Sequence, residues 1–121
     1  MTATRPPSSD EPSVIRAVIG PRTVLTVTGE VDLAVAPDLE AAIECALGEG
    51  SEEVWVDLTP TTFMDSSGVH VLVKAHRRLD ELNRRFAVIC PAGPVRRLFE
   101  IAGALDYLSV FEDRSTVRSD L

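Results

Sequence analysis

Short apolar runs alternate with segments of helical periodicity along the chain, and together they predict its strands and helices. An apolar run at 14–19 predicts a first strand, which the Gly20-Pro21 pair ends. Valine and threonine alternate at 24–28, so this segment is predicted to pair with the first strand as a β-hairpin. Three later strands are predicted from apolar runs at 54–58, 86–90 and 107–111.

Three helices are predicted between these strands. The first begins at 36–38, where a proline suits the first helical position and an aspartate favours the positive helix end, and it ends at Gly48. The second and longest follows 65–67, where an aspartate and two serines offer capping side chains, and it reaches about Asn83. The third is predicted at 94–102, with a glycine directly after it.

The predicted element order, ββαβαβαβ, is that of a single α/β domain. An opening hairpin followed by alternating helices and strands gives a mixed β-sheet with parallel pairs and one antiparallel edge. The 121 residues are enough to bury a core without metal or disulfide support. We expect the domain at 13–114, a disordered tail at 1–12, where no apolar periodicity is visible, and a frayed C-terminus at 115–121.

The second helix has one apolar stripe and one polar face. The apolar stripe, which is predicted to pack on the sheet, comprises Gly68, Leu72, Ala75, Leu79 and Leu82, with Val71 beside it. The opposite face comprises Ser66, His70, Val73, Arg77 and Arg84. Ser66 is therefore predicted to lie at the helix start with its hydroxyl facing solvent.

The charge of the chain disfavours nucleic acid as a partner. Its 12 basic and 19 acidic residues give a net charge of −7, whereas nucleic acids and anionic membranes both attract basic surfaces. No apolar run approaches the roughly 20 residues that span a bilayer. The N-terminal segment lacks the apolar stretch of a secretory signal, so a cytoplasmic protein is expected.

The two cysteines are expected to be buried free thiols. Cys45 and Cys90 are far apart, lie in mostly apolar segments and form no CxxC pair, so neither a metal nor a redox site is predicted. The chain also has no glycine-rich phosphate loop of the nucleotide-hydrolysing type. No cofactor is predicted.

Ser66 is a candidate phosphorylation site on physical grounds. A helix N-terminus presents unpaired backbone amides and the positive end of the helix dipole, so an added phosphate would be held there without unfolding the domain. The phosphate would add about −1.5 to −2 charges, which a partner groove shaped for a neutral hydroxyl would have to bury or repel. The simpler interpretation is that residues 65–67 only cap the helix.

Several segments carry a specific resemblance. The stretch Phe63-Met64-Asp65-Ser66-Ser67-Gly68-Val69, preceded by Val56-Asp57-Leu58, resembles the signature of STAS domains of the anti-sigma factor antagonist family. Thr28-Gly29-Glu30-Val31-Asp32 and Val95-Arg96-Arg97-Leu98-Phe99 are similar to that family as well. The resemblance covers about 14–112 in the same element order, and it implies a small sandwich of a mixed sheet with helices packed on one side.

The resemblance also implies a function in partner switching. The unphosphorylated antagonist of this family binds an anti-sigma factor, which is itself a serine kinase, and so releases a sigma factor. The kinase phosphorylates the serine after the motif aspartate, which is Ser66 here, and a PP2C-type phosphatase removes the phosphate. The implied protein is a regulator of transcription in a stress response, not an enzyme. The sequence leaves the oligomeric state open, and a monomer is the default expectation.

The residues implied in partner binding fall into three groups. The contact loop comprises Asp65, Ser66 and Ser67, and a neighbouring loop is expected to hold Gly29, Glu30 and Asp32. On the outward helix face the candidates are His70 and Val73. Many family members have Leu-Gly after the motif glycine, where this chain has Val69-His70, so His70 is expected to alter which anti-sigma factor fits.

Three alternatives stay open. Ser66 and His70 are four residues apart on one helix face, where a nucleophile and a base of a hydrolase can meet, although the G-x-S-x-G elbow is absent. STAS-like modules also serve in stress-sensing assemblies and lipid-transport complexes. A small-ligand sensor is the third alternative.

Overall fold

The structure of the protein, a computed structural model, describes residues 13–120, with side chains described through residue 117. Within this range the strands are β1 (Ser13–Ile19), β2 (Arg22–Val31), β3 (Glu53–Asp57), β4 (Thr61–Met64), β5 (Arg85–Ile89) and β6 (Val110–Phe111). The α-helices are α1 (Ala36–Gly48), α2 (Ser66–Glu81), α3 (Pro94–Ile101) and α4 (Arg114–Asp120). The tail expected at 1–12 lies outside the described residues.

The strands form one mixed sheet. Their order across the sheet is β1-β2-β3-β5-β6, and β4 pairs with β2 outside this path. β1 is antiparallel to β2, whereas the other pairs are parallel. The hairpin is thus the antiparallel edge that the sequence predicts, and the α/β fold with a mixed sheet is confirmed.

The two halves of β2 pair with different neighbours. Its first half, from Arg22 to Thr26, pairs with β3, and its last residues, from Gly29 to Val31, pair with β4. Gly29 has a positive φ of 89° and lies where the register with β4 shifts. The strand was predicted to end at Thr28, and it continues because β4 supplies hydrogen-bonding partners for three more residues.

The main core lies between the sheet and helices α1, α2 and α3. Alternate residues of the central strands point into it, among them Leu25, Val56 and Val88, which are fully buried. The predicted apolar stripe of α2 is confirmed for Gly68, Leu72, Ala75 and Leu79. It is wrong for Leu82, which follows the last helical residue and is 42% exposed.

Helix α4 covers the opposite face of the sheet. Trp55 and Ile89 alternate along their strands with residues of the main core, so they point to this second face, and Val117 of α4 is fully buried against them. The expectation that helices pack on one side therefore holds for α1 to α3 and is wrong for α4.

The C-terminal segment is helical where a frayed end was expected at 115–121. Two interactions explain the helix, which reaches Asp120. Val117 anchors it in the second apolar cluster, and the Asp113 carboxylate accepts a hydrogen bond from the Thr116 amide at 2.9 Å, as a helix cap does.

The observed element order is ββαββαβαβα, which contains strand β4 and helix α4 in addition to the predicted elements. Two strands differ from the prediction. Strand β4 was not predicted, because its residues show no alternation of apolar and polar side chains. It forms against β2, where the Thr61 hydroxyl donates to the Val27 carbonyl at 2.7 Å. The last strand, expected at 107–111, is confined to β6, because a 3-10 turn at 104–106 and a non-regular segment precede it.

The two cysteines differ in their exposure to solvent. Cys90 is buried as expected, and burial raises the pKa of its thiol to about 11. The expectation is wrong for Cys45, which is exposed on α1 because Ala46 and Leu47 occupy the buried side of that turn. Within the described residues no cluster of side chains could hold a metal ion, and no helix has the length and apolar character needed to cross a membrane.

Candidate binding site at the start of helix α2

Two parallel strands bring the candidate residues together. Val31 at the end of β2 is the register partner of Met64 at the end of β4, so the segments that follow these strands leave the sheet at the same edge. The Asp65 amide donates to the Val31 carbonyl at 3.1 Å across this edge. The turn before α1 and the start of α2 are therefore neighbours, although they are about thirty residues apart in the sequence.

Asp65 caps helix α2, as the sequence predicts. Its backbone is extended, and its carboxylate accepts hydrogen bonds from the Ser67 amide, at 2.9 Å, and from the Ser67 hydroxyl. The bond from the Ser67 hydroxyl contributes most to lowering the pKa of this carboxyl, and the nearby Gly68 and Leu33 amides act in the same direction. The Asp65 carboxylate thus satisfies donors of the first turn of α2.

Ser66 is the first residue of α2 and its side chain is exposed, as predicted. Ser67 is half-buried, because its hydroxyl is bonded to Asp65. His70 lies one turn further along and is exposed. Val73 was predicted to lie on the outward face of the helix. It is instead half-buried and packs against the main core.

An open groove of about 490 Å³ runs between the start of α2 and the start of α1. Its walls comprise Leu33, Ala36, Pro37 and Glu40 on one side and Ser66, Ser67, His70 and Val71 on the other. Leu33 is 76% exposed. Ser66 therefore lies beside a groove of apolar and polar side chains rather than on an isolated surface.

Only one of the three residues expected on the neighbouring loop lies in a turn. Gly29 and Glu30 lie within β2 rather than in a loop, and Gly29 is buried, because the strand is longer than predicted. Glu30 is exposed opposite Phe63 of β4. Asp32 does lie in the turn, where its carboxylate accepts from the amides of Ala34, at 3.0 Å, and Val35, at 3.1 Å.

Two amides of the cradle expected for a phosphate already have acceptors. The Ser67 amide is bonded to the Asp65 carboxylate, and the Gly68 amide donates to the Asp65 carbonyl at 3.1 Å. A phosphate on Ser66 would therefore meet the Asp65 carboxylate and would have to compete for the Ser67 and Gly68 amides.

The hydrolase alternative gains no geometric support. Among the hydrogen bonds of residues 13–117, none joins the Ser66 hydroxyl to the His70 imidazole. A nucleophile needs such a bond to its base, and the base needs a third group to orient it.

Sequence reasoning missed Leu33 as a residue of this site. The leucine stands alone in a turn, outside any periodic stripe, so the pattern offers no partner for it. The one available signal was a large apolar side chain between turn residues, next to an aspartate that can form an Asx turn.

Comparison with known proteins identifies the family. A family model described as the STAS domain matches residues 13–117. The anti-sigma-B factor antagonist of Staphylococcus epidermidis is 30% identical over 86 residues, which are 71% of this chain and 80% of that protein. The names of such relatives describe an antagonist of a regulatory protein and no enzymatic activity.

Solved structures agree with this fold. An anti-sigma factor antagonist from Mycobacterium paratuberculosis has a TM-score of 0.84 at 21% identity, over 93% of this chain and 96% of that one. The Bacillus cell fate determinant SpoIIAA in its phosphorylated form has a TM-score of 0.68 at 20% identity, over 90% of this chain and all of that one. With its fold and its signature at residues 63–69 in agreement, the chain belongs to the STAS domain family.

Proposed function

We propose that this protein is an anti-sigma factor antagonist whose binding is switched by phosphorylation of Ser66. The unphosphorylated form binds an anti-sigma factor that is itself a serine kinase, and a sigma factor is thereby released. Phosphorylation by that kinase ends the binding, and a PP2C-type phosphatase restores it in the cytoplasm. The observation that carries the proposal is the exposed Ser66 hydroxyl at the first position of α2, at the mouth of the groove.

Similar proteins support both parts of this proposal. The Staphylococcus epidermidis relative is named for antagonism of an anti-sigma factor, and it matches most of the folded part of this chain. The neighbour SpoIIAA is described in a phosphorylated form, so a protein of this fold carries that modification.

The contact surface that we propose centres on the groove. Asp65, Ser66, Ser67 and His70 form its α2 wall, and the exposed Leu33 offers an apolar anchor on the other wall. Glu30 and Asp32, from the end of β2 and the following turn, flank this surface. Gly29 is buried and Val73 is half-buried, so both support this surface from beneath. Gly29 contributes through the course of the β2 backbone, and Val73 contributes through its packing on the core.

Charge explains how the phosphate would prevent binding. It would add about −1.5 to −2 charges next to Asp65, with Glu40 on the opposite wall. A partner that has closed over a neutral hydroxyl would have to remove water from this anion without pairing it, at a cost of several kcal/mol. Each 1.4 kcal/mol weakens binding about tenfold, so one phosphate is sufficient to separate the two proteins.

The test uses variants that keep or mimic the two states. Ser66→Ala is used to capture partners from a lysate of the source cells, and the captured protein is identified and purified. Isothermal titration then compares Ser66→Ala with protein that carries phosphoserine at position 66, installed during translation. We expect the alanine variant to bind and the phosphoserine form to bind at least a hundredfold more weakly, the effect of about 3 kcal/mol.

Ser109→Ala is the matched control, because Ser109 is also exposed but lies beside β6, away from the groove. It should leave binding and phosphorylation by the captured kinase unchanged. Equal affinities of the alanine and phosphoserine forms would reject the switch. Capture of a protein that cannot phosphorylate Ser66 would reject the proposed kinase.

A further inference from the structure

Strand β1 forms an open edge of the sheet. Within residues 13–120 its one sheet neighbour is β2, with which it pairs along its full length. Its outer side therefore presents backbone amides and carbonyls that have no partner strand, and such an edge can pair with another chain. Proteins commonly protect an edge with proline, with several charges or by making the strand short. β1 has seven residues, no proline and one charged side chain, Arg16, which is paired with Glu49 of α1.

Apolar side chains line this edge on one face of the sheet. Cross-strand partners of an antiparallel pair lie on the same face, and Ala17 is the register partner of Val24, which belongs to the second apolar cluster. Side chains alternate along a strand, so Ile15 and Ile19 lie on that face as well. They are 61% and 51% exposed, although α4 covers another part of the cluster. The uncovered part of this face is therefore an apolar stripe along the open edge.

The hairpin determines which backbone groups point away from β2. Gly20 and Pro21 form a two-residue loop between the register partners Ile19 and Arg22. Gly20 has a positive φ of 63°, as the first position of a type II′ turn requires. Ile19 and Arg22 therefore form a hydrogen-bonded pair, and in an antiparallel ladder such pairs alternate with pairs that lack these bonds. The amides and carbonyls of residues 14, 16 and 18 consequently point to the open edge.

The sequence of β1 is complementary to itself about Ala17. If a second copy pairs antiparallel with a two-fold axis at Ala17, Ile15 lies opposite Ile19 of that copy on the apolar face. Arg16 then lies opposite Val18 of the second copy, at a position where outward backbone groups of both strands can form hydrogen bonds. An axis at Arg16 would instead place two like charges opposite each other, which is destabilising.

We infer that β1 is a self-association surface, through which two copies of this chain join their sheets as a two-fold symmetric dimer with Ala17 at the axis. A second copy is the occupant because the apolar pattern of β1 matches its own reverse, as an isologous interface requires. No residue of β1 lines the groove beside Ser66, so the inference stands independently of the proposed function. It departs from the default expectation of a monomer.

Cysteine cross-linking tests the position of the axis in the full chain. Cys45→Ser first removes the exposed thiol, while Cys90 is buried. In that background Ala17→Cys places the thiols of two copies at directly opposite positions, where Cβ atoms are about 4.5–5.5 Å apart. A disulfide can form there after a slight adjustment, so we expect mild oxidation to give a covalent dimer on a non-reducing gel.

Ser13→Cys in the same background is the matched control. Ser13 is exposed and lies on the same face of β1 as Ala17, but it is near the end of the strand. In the inferred dimer the two copies of this position are roughly 27 Å apart, from the rise of about 3.4 Å per residue. Its thiols should therefore cross-link only through random collisions.

Sedimentation equilibrium measures the association without a cross-link. The mass of the unsubstituted chain should rise from that of a monomer to that of a dimer as the concentration increases. Ile15→Lys should weaken the dimer at least about tenfold, because each copy loses an apolar side chain that dimerisation buries. Ile15 is largely exposed in the single chain, so the variant is expected to fold. Ile101→Lys is the control, since Ile101 is 78% exposed on α3, and it should leave the dimer unchanged.

Each outcome of these experiments supports or rejects the dimer. A mass that stays monomeric at every concentration would reject it, as would equal effects of the two lysine variants. Equally fast cross-linking of Ala17→Cys and Ser13→Cys would reject the axis at Ala17. Slow hydrogen exchange of the outward amides of β1 in dilute monomer would show that another part of the chain covers the edge, which also rejects the inference. Fast cross-linking of Ala17→Cys, together with a dimer that Ile15→Lys weakens, would support it.

Discussion

The ion pair between Arg114 and Asp57 fastens α4 to the sheet, and its removal should be measurable as lost stability. Nε of Arg114 lies 2.8 Å from Oδ2 of Asp57, and Nη2 donates to the Thr26 hydroxyl at 3.1 Å. The Asp57 side chain is 8% exposed, whereas the Arg114 side chain is 45% exposed. The strength of the pair should therefore lie between those of surface and interior ion pairs.

Arg114→Ala is expected to lower the free energy of unfolding by about 1.5–3 kcal/mol, the range for a hydrogen bond to a charged group. Asp57 would keep two bonds from Thr59, at 2.9 Å from its amide and 2.5 Å from its hydroxyl. The loss should therefore stay below the roughly 3–5 kcal/mol seen when a fully buried charge loses its partner.

Trp55 provides the assay. It is the one tryptophan of the chain, it is 2% exposed, and it shares the second apolar cluster with Val117 of α4. Urea unfolding followed by its fluorescence gives the free energy of unfolding of each variant. Arg16→Ala is the control, because it removes a pair with Glu49 between side chains that are 39% and 47% exposed, and its effect should be much smaller.

Acid should reduce the difference in the free energy of unfolding between Arg114→Ala and the unsubstituted protein. Burial alone would raise the pKa of Asp57, but bonds from Thr59 and Arg114 outweigh burial and bring this pKa below its usual value. Such a carboxyl stabilises the fold above its unfolded pKa, about 3.9, and the stabilisation is lost as the pH falls through the folded pKa. This account of α4 would be refuted if Arg114→Ala and Arg16→Ala lowered the free energy of unfolding equally at pH 7. It would also be refuted if the loss caused by Arg114→Ala grew in acid.

Three further predictions concern the core and the thiols. Leu72→Ala should lower the free energy of unfolding by about 3–5 kcal/mol in urea titrations, because the side chain is fully buried. Gly68→Ala should cost about 1–3 kcal/mol in the same assay, since a Cβ there would lie 2.6 Å from Cγ of Met64; a gain in stability would contradict this. Iodoacetamide should modify Cys45 in the native protein and Cys90 only after unfolding, as peptide mass spectrometry can show; equal rates would contradict the difference in burial.

The local features of α2 could be predicted because the information lies within a few residues. The spacing of Leu72, Ala75 and Leu79 determines which face is buried, and Asp65 can cap only the helix that follows it. Both predictions hold without knowledge of the rest of the fold. The same reasoning failed at Leu82, where the helix had already ended and the periodicity no longer applied.

Strand β4 and helix α4 could not be predicted in this way, because distant contacts stabilise them. β4 depends on the backbone of β2, to which Thr61 also donates through its hydroxyl. In α4 a single apolar residue, Val117, meets a cluster built from other strands. A cap signal for α4 was present in Asp113, but one cap without an apolar stripe predicts only a turn.

The candidate site combines both kinds of information, which explains what its sequence could and could not show. The chemistry of Ser66 is local, since an aspartate cap and an exposed first helical position follow from consecutive residues. The groove beside it is not local, because Leu33 and Ser66 line one groove only when β2 and β4 pair and end at the same edge. A substitution that shifts the β2–β4 register should therefore separate Leu33 from Ser66 while leaving the signature at 63–69 unchanged. A signature match alone thus points to the residue proposed for modification but not to the surface that a partner would bind.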